Sequence, residues 1–284
     1  MVKILVNSQG KAITHSNKAL SLDVSKKKYG LDIDAMIGNP DANGVLQFPT
    51  ADVNIVFDDI VDLPNYGLYY KFYYCTGLSG SVSFPDLENI SGLYAGYNTF
   101  YGTQISSVSF PSLTTVSGIY AAQNMFSYTQ VTSVSFPVLV SVTGNSGLRQ
   151  MFQNCENLTS ASFPELTTVS GQMGIGYIFS STDILTIEFP KLSVLTGVRA
   201  LFHMLDGCKN LTSVSFPALT TDSFGTAKNQ FEAIFNITTG QISGAVTMHF
   251  PSNLESIIQG MTGYPTFGAT SGIVTLAFDL PATS

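Results

Sequence analysis

Charge is what this sequence has least of. Only 11% of its 284 residues are Asp, Glu, Lys or Arg, against roughly 25% in an average soluble domain. The outer surface must therefore be built from Ser, Thr, Asn and Gly, a neutral polar coat that suits extracellular or virion proteins better than cytosolic enzymes. Long apolar runs are missing too: none approaches the roughly 20 residues of a membrane span, so no membrane insertion is expected. The apolar stretch near the N-terminus, Ile4–Val6, is three residues long, short of the about 7–15 of a secretory h-region, so neither signal peptide nor anchor is expected. Tryptophan is absent, which weakens any reading as a flat glycan platform.

The scarce charge is unevenly spread. Residues 1–28 hold six lysines and one acid, a balance of +5, whereas the rest holds six basic and eighteen acidic residues, a balance of −12. A body that acidic argues against nucleic-acid binding, which needs a basic face for phosphates. The basic head either docks on an acidic partner or is a solvated arm.

What is present in excess is repetition. The phrase S-V-S-F-P, or a near variant, ends at Phe84, Phe110, Phe136, Phe163, Phe189 and Phe216, with a spacing that never varies by more than one position. Phe57, Phe250 and Phe278 extend the series to nine phrases between residue 51 and the end. A period of this length means stacked repeats. S-V-S-F alternates, so Val108 and Phe110 share one face of a strand while Ser107 and Ser109 share the other. A second strand of four or five residues is expected between Pro and the Gly that closes each phrase (Gly92, Gly118, Gly144, Gly171, Gly197). That Gly marks either positive φ or close backbone passage. A stretch of helix-like spacing follows, ending in apolar pairs such as Met125-Phe126 and Met151-Phe152. One unit cannot close a core, so each Phe and Leu needs its counterparts above and below.

Chemical motifs dissolve into this period. Cys155 follows Phe136, and Cys208 follows Phe189, at the distance where other units place Thr103, Thr129 and Thr182; Cys75 sits one position closer to Phe57. They are one structural position filled by a small side chain, and no two fall in neighbouring units, which argues against disulfides within the column. Asn39–Gly44 imitates a calcium loop without its first Asp and with Thr50 where Glu belongs, so no metal is expected. His15, His203 and His249 are far apart, and no metalloprotease, nucleophile-elbow or phosphate-loop pattern occurs. The densest acids, Asp58, Asp59 and Asp62, are read as solvating an edge. Neither enzyme activity nor a cofactor is expected.

Candidate contact residues are the departures from the repeat. The position before Phe forms a serine ladder broken by Glu188 and His249. Ten of thirteen tyrosines fall between Tyr66 and Tyr128. Tyr94 and Tyr120 stand at equal distances from their phenylalanines and should stack on one ridge, with Tyr97 and Tyr101 nearby. Exposed rings offer an apolar face and a hydroxyl to a sugar or protein. The alternative is that several, Tyr73 especially, fill the core position that Phe126 holds elsewhere.

The order N-L-T-S-V-S-F-P, x-L-T-T-V-S-G and an A-F or M-F segment resembles BspA-like leucine-rich repeats from about residue 51 onward. This chain differs in having F-P for I-P and a unit slightly longer than the family's. The resemblance implies a repeat solenoid, a curved right-handed array of about nine units, used for adhesion and recognition on bacterial surfaces. A head containing Asp41-Ala42-Asn43-Gly44-Val45-Leu46-Gln47 also resembles proteins encoded by phages of gut bacteria. The expected organisation is thus an attachment or oligomerisation segment, residues 1–50, before a solenoid, residues 51–284. The head would bind a virion or carrier protein and the solenoid a host-surface glycan or protein. A homo-oligomer such as a trimer is compatible with this but not demanded by the residues. The missing leader favours a virion surface over the alternative, a bacterial cell surface.

Overall fold

Each repeat becomes one turn of a parallel β-solenoid, with three walls running along its length. The computed structural model describes residues 20–23, 51–57, 59–226, 229–235, 245–265, 267 and 273–282. Except for the strand Leu20–Asp23, which pairs in parallel with Ala51–Val56, the segment 1–50 lies outside the described residues, the calcium-loop imitation included.

The first wall is a sheet of strands that alternate as the sequence predicts. Leu78–Ser83 and Gln104–Ser109 pair in parallel with Val82 opposite Val108. Further along, Thr186–Glu188, Ser213–Ser215, Val246–Pro251 and Val274–Leu280 pair in parallel one after another, the last pair shifting register between His249 and Pro251. Valines and phenylalanines turn inward and hydroxyls outward. The phenylalanine column is continuous: Phe57, Phe84, Phe110, Phe136, Phe163, Phe189, Phe216, Phe250 and Phe278 stack pairwise at centroid distances from 4.5 to 5.9 Å.

The second wall is shorter than expected. Its strands are two residues each, Asn89–Ile90, Thr115–Val116, Ser141–Val142, Thr168–Val169 and Val194–Leu195, stacked in parallel. The cause is a corner on either side. Consecutive N–H groups share one carbonyl of the preceding turn: Thr114 and Thr115 both donate to Glu88, and Thr167 and Thr168 both to Val140. A strand bending that sharply keeps only its inward residue and one neighbour in the ladder. The inward residues Ile90, Val116, Val142, Val169 and Leu195 are fully buried.

The third wall is where helix-like spacing led expectation astray. Among the described residues the only α-helix is Glu255–Gln259. The segments ending in Met125-Phe126, Met151-Phe152 and Ile178-Phe179 are ribbons of consecutive turns. Alternate N–H groups close locally, Lys71 onto Leu68 and Tyr73 onto Tyr70, while those between donate to the next turn, Tyr70 to Tyr97, Phe72 to Thr99 and Tyr74 to Tyr101. Every fourth residue has positive φ, as at Tyr66, Tyr70 and Tyr74 or Ser146, Gln150 and Asn154. The spacing of three and four that mimics a helix comes from this four-residue period. A helix is about 10–12 Å across, whereas neighbouring strands lie about 4.8 Å apart. The ribbon matches the strand spacing and hydrogen-bonds across it. Its inward residues build a second stacked column, Phe72, Phe100, Phe126, Phe152 and Phe179, edge-on to the first.

Close passage, not positive φ, explains the glycine that opens each ribbon. A Cβ built on Gly144 would lie 2.1 Å from the Gly118 carbonyl oxygen, and Gly118, Gly171 and Gly197 have the same contact with the turn before.

Candidate functional site

The outer face of the turn ribbon gathers the tyrosines. The first ribbon carries Tyr66, Tyr69, Tyr70, Tyr73 and Tyr74; the second Tyr94, Tyr97 and Tyr101; the third Tyr120 and Tyr128. The four-residue period presents two of every four residues to solvent while Leu68 and Phe72 turn inward. Inter-turn bonds hold the rows in register, so rings meet their counterparts. Tyr66 stacks on Tyr94 at 5.7 Å and Tyr94 on Tyr120 at 4.9 Å; Tyr69 stacks on Tyr97 at 5.7 Å. Within the first row the contacts are edge-to-face, as between Tyr69 and Tyr70 or Tyr73 and Tyr74. The result is one field of ten rings on three turns.

The predicted ridge of Tyr94, Tyr97, Tyr101 and Tyr120 is thus brought together, with six further tyrosines around it. Tyr73 is 37% exposed and belongs to the field; the core position is Phe72. The alternative that put Tyr73 in the core misses by a single position. The path from Phe57 to Phe72 is one step shorter than those from Phe84 to Phe100 and from Phe110 to Phe126. A second difference concerns the chemistry offered. The stacked rings of Tyr66, Tyr94 and Tyr120, and of Tyr69 and Tyr97, cover one another's faces and present edges and hydroxyls, while Tyr70, Tyr73, Tyr74, Tyr101 and Tyr128 meet their neighbours tilted or edge-on. Burial first, then the neighbouring phenols, holds the Tyr73, Tyr97 and Tyr101 hydroxyls above their ordinary pKa. The three ribbons, residues 64–76, 92–104 and 118–130, contain a single charged residue, Lys71.

The family model described as BspA type Leucine rich repeat region (6 copies) matches residues 68–173 and 122–259. Together these matches span more than half the chain. The protein belongs to the BspA-type leucine-rich repeat family. No match was found among curated proteins or among solved structures.

Within this BspA-type solenoid the ribbon changes chemistry along its length. The tyrosine field gives way to an amide band, in which Gln123 donates to Gln150 at 3.2 Å and Gln150 to Gln153 at 2.6 Å. Then comes a cluster that sequence reading missed. Tyr177 and His203 stack at 4.7 Å, and the Arg149 guanidinium sits 5.3 Å above the Tyr177 ring. His203 Nδ1 lies 3.2 Å from Asp206, and Arg199 makes a bidentate pair with Glu232 at 2.7 and 2.9 Å. Hydrogen bonding to Arg199 holds Glu232 below the usual carboxylate range. The signal was available in the phrase register. Tyr177 stands as far from Phe163, and His203 as far from Phe189, as Asn98 does from Phe84 and Gln150 from Phe136. Arg199 and His203 are paired with Glu232 and Asp206, whereas among the described residues the Arg149 guanidinium has no carboxylate partner and lies over the Tyr177 ring.

Glu188 and His249 lie elsewhere, in one column of the sheet wall with Ser215 between them. His249 Nδ1 lies 2.9 Å from the Asp279 carboxylate. The structure does not bring either to the tyrosines. The cysteines fill the Thr position as expected. Cys155 Sγ donates to the Phe126 carbonyl at 3.1 Å, and Thr129 one turn earlier donates to the same oxygen at 2.8 Å; Cys208 and Thr182 share the Phe179 carbonyl in the same way. Burial pushes both thiols up to about 11 and Cys75 up to about 12. Among the described residues no group of three His, Cys, Asp or Glu could hold a metal, and no helix is long and apolar enough to cross a membrane.

Proposed function

We propose that this BspA-type solenoid is a non-enzymatic recognition protein, and that the tyrosine field is its contact surface. The observation that carries the reading is the field itself. Rings are fixed by stacking and by five inter-turn hydrogen bonds per ribbon, so little conformational entropy remains to be lost on binding. Tyrosine is also the residue interfaces favour, because it combines apolar area with a hydroxyl.

The carrier in this proposal is a virion, where the chain serves as a fibre or decoration protein held through residues 1–50 and contacts a host-surface glycan or protein. The low-charge surface and the resemblance of residues 41–47 to phage-encoded proteins support that setting. Two measurements test it. Mass spectrometry of purified virions should detect the chain; its release by shaving of bacterial surfaces instead would make it a cell-surface adhesin. Replacing Tyr97 and Tyr101 by Ser should weaken attachment of the full chain to host cells by at least tenfold, the scale of an interface hot spot above about 1.4 kcal/mol. Unchanged attachment would remove the field from the host-contact role.

A further inference from the structure

We propose that the tyrosine field pairs with the same field of a second copy about a two-fold axis. This rests on reading the field as a contact surface: the second copy covers it in solution, and host contact through the field requires the pair to open.

Area is the first argument. Tyr66 is 51% exposed, Tyr128 48%, and the other four most exposed tyrosines of the field about two-fifths. At roughly 150–250 Å² for a whole aromatic side chain, these six leave on the order of 500 Å² in the open. The four half-buried rings extend the same patch toward the roughly 800 Å² that each partner contributes to a standard interface. A monomer's largest apolar patch is typically about 300–600 Å².

Charge is the second. The chain carries a net −7, so most approaches of one copy to another are repulsive. The field is the exception, with Lys71 its single charge. The third argument is self-complementarity. Tyr94 is covered on both faces by Tyr66 and Tyr120, and Tyr69 and Tyr97 cover one another, so in these rows a sugar ring finds few open faces. What remains outward are ring edges, which carry the positive end of the quadrupole, and hydroxyls, which both donate and accept. A surface of hydroxyls that donate and accept satisfies an inverted copy of itself. A two-fold interface is isologous and closes at two copies.

The pairing leaves the sheet wall of each copy free, with Glu188 and His249 on it. The pair is then bivalent for whatever that wall touches, and linking two sites raises avidity without any new contact.

Sedimentation or light scattering of the full chain decides it. The expected particle has twice the 30.4 kDa chain mass and dissociates little more at high salt than at low, because the contact is uncharged. The double substitution Tyr69→Asp and Tyr73→Asp should give monomers, and so should Tyr69→Lys and Tyr73→Lys. Mixing the two variants should restore a pair, which only folded chains can do. A monomer at high concentration, a trimer, or a dimer indifferent to these substitutions would overturn the proposal. Loss of host-cell attachment in variants of a protein that is monomeric from the start would sink the pairing while leaving the recognition role standing. Loss of pairing with attachment intact would do the reverse.

Discussion

The glycine column sets up a substitution whose sign is the test. Gly144 does not have positive φ, so on conformational grounds alone Gly144→Ala should stabilise by about 0.4–1 kcal/mol through the unfolded chain. The structure demands the opposite. The new Cβ would stand 2.1 Å from the Gly118 oxygen and 2.8 Å from its carbonyl carbon, both backbone atoms. Relief needs about 1 Å of separation between two turns whose strands are spaced about 4.8 Å apart. The bonds in the way are short: Thr143 and Gly144 to Val116 at 2.9 and 3.2 Å, Tyr120 to Asn145 at 2.9 Å and Ala122 to Gly147 at 2.7 Å. Losing these four at about 1 kcal/mol each comes to about 4 kcal/mol, a large part of a typical total of about 5–15 kcal/mol. With a urea slope of about 3 kcal/mol per M, the midpoint should drop by more than about 1 M. Gly260→Ala is the control, since its nearest neighbours are 3.5 and 3.7 Å away; it should be neutral or slightly stabilising. A Gly144→Ala midpoint equal to or above that of the parent refutes the close-passage reasoning.

Three further outcomes follow from the same architecture. Phe136→Ala, between Phe110 and Phe163 at 5.4 and 5.0 Å, should cost about 3–5 kcal/mol through the cavity it leaves; an unchanged denaturation midpoint counts against a stacked column. The buried thiols of Cys155 and Cys208 have pKa values raised to about 11, so their contribution is whole below the unfolded value of about 8.5 and fades as pH rises from there toward 11. Denaturation at pH 7 and pH 10 should therefore differ, Cys155→Thr should reduce the difference, and thiol reagents should label the native chain only after unfolding. Glu232, held low by Arg199, contributes above about pH 4.3 and loses that as pH falls through its folded value. Because the pair is partly exposed, Glu232→Gln should cost at most about 1 kcal/mol at pH 7 and nothing near pH 2, which acid and neutral melts of the two proteins would compare.

The period made the sheet wall legible, because a two-residue alternation around Phe leaves only one way to bury it. Register followed as well: Ser83 faces Ser109, and Glu188 faces Ser215, as aligning the phrases requires. The ribbon was not legible, since i, i+3 and i, i+4 apolar spacing fits a helix and a four-residue turn period equally. What separates them is backbone conformation. Left-handed residues cost L-amino acids roughly 1–2 kcal/mol each, and here Tyr66, Tyr120, Gln150 and Met173 occupy such positions without the glycine that would have announced them. The tyrosine ridge was readable from Tyr94 and Tyr120 because they keep the same distance from Phe. Tyr69, Tyr70 and Tyr74 were harder, since the first turn is one residue shorter. The Arg149–Tyr177–His203 cluster draws on three repeats, and side chains a whole repeat apart in sequence become neighbours only once the register is drawn.

The one-way bonding of the turn ribbon gives that wall an electrical direction. The alternate inter-turn N–H groups along it point toward the following turn, from Tyr66 to Leu93 through to Phe235 to Phe267, and the carbonyls that accept them point back. Peptide dipoles aligned in this way add along the axis as they do in a helix. The short-strand wall runs the other way, with Thr114 donating back to Glu88 and Gly118 back to Ile90, so the polarity belongs to the wall and not to the whole solenoid. Among the described residues the carbonyl end of this ladder is the first tyrosine row, where Lys71 is the one charge, and its N–H end lies beyond the turn of Glu232, where Phe235 still donates to Phe267. Among the described residues the tyrosine surface therefore lies at the negative end of its own wall, and Lys71 stands there as the charge of opposite sign.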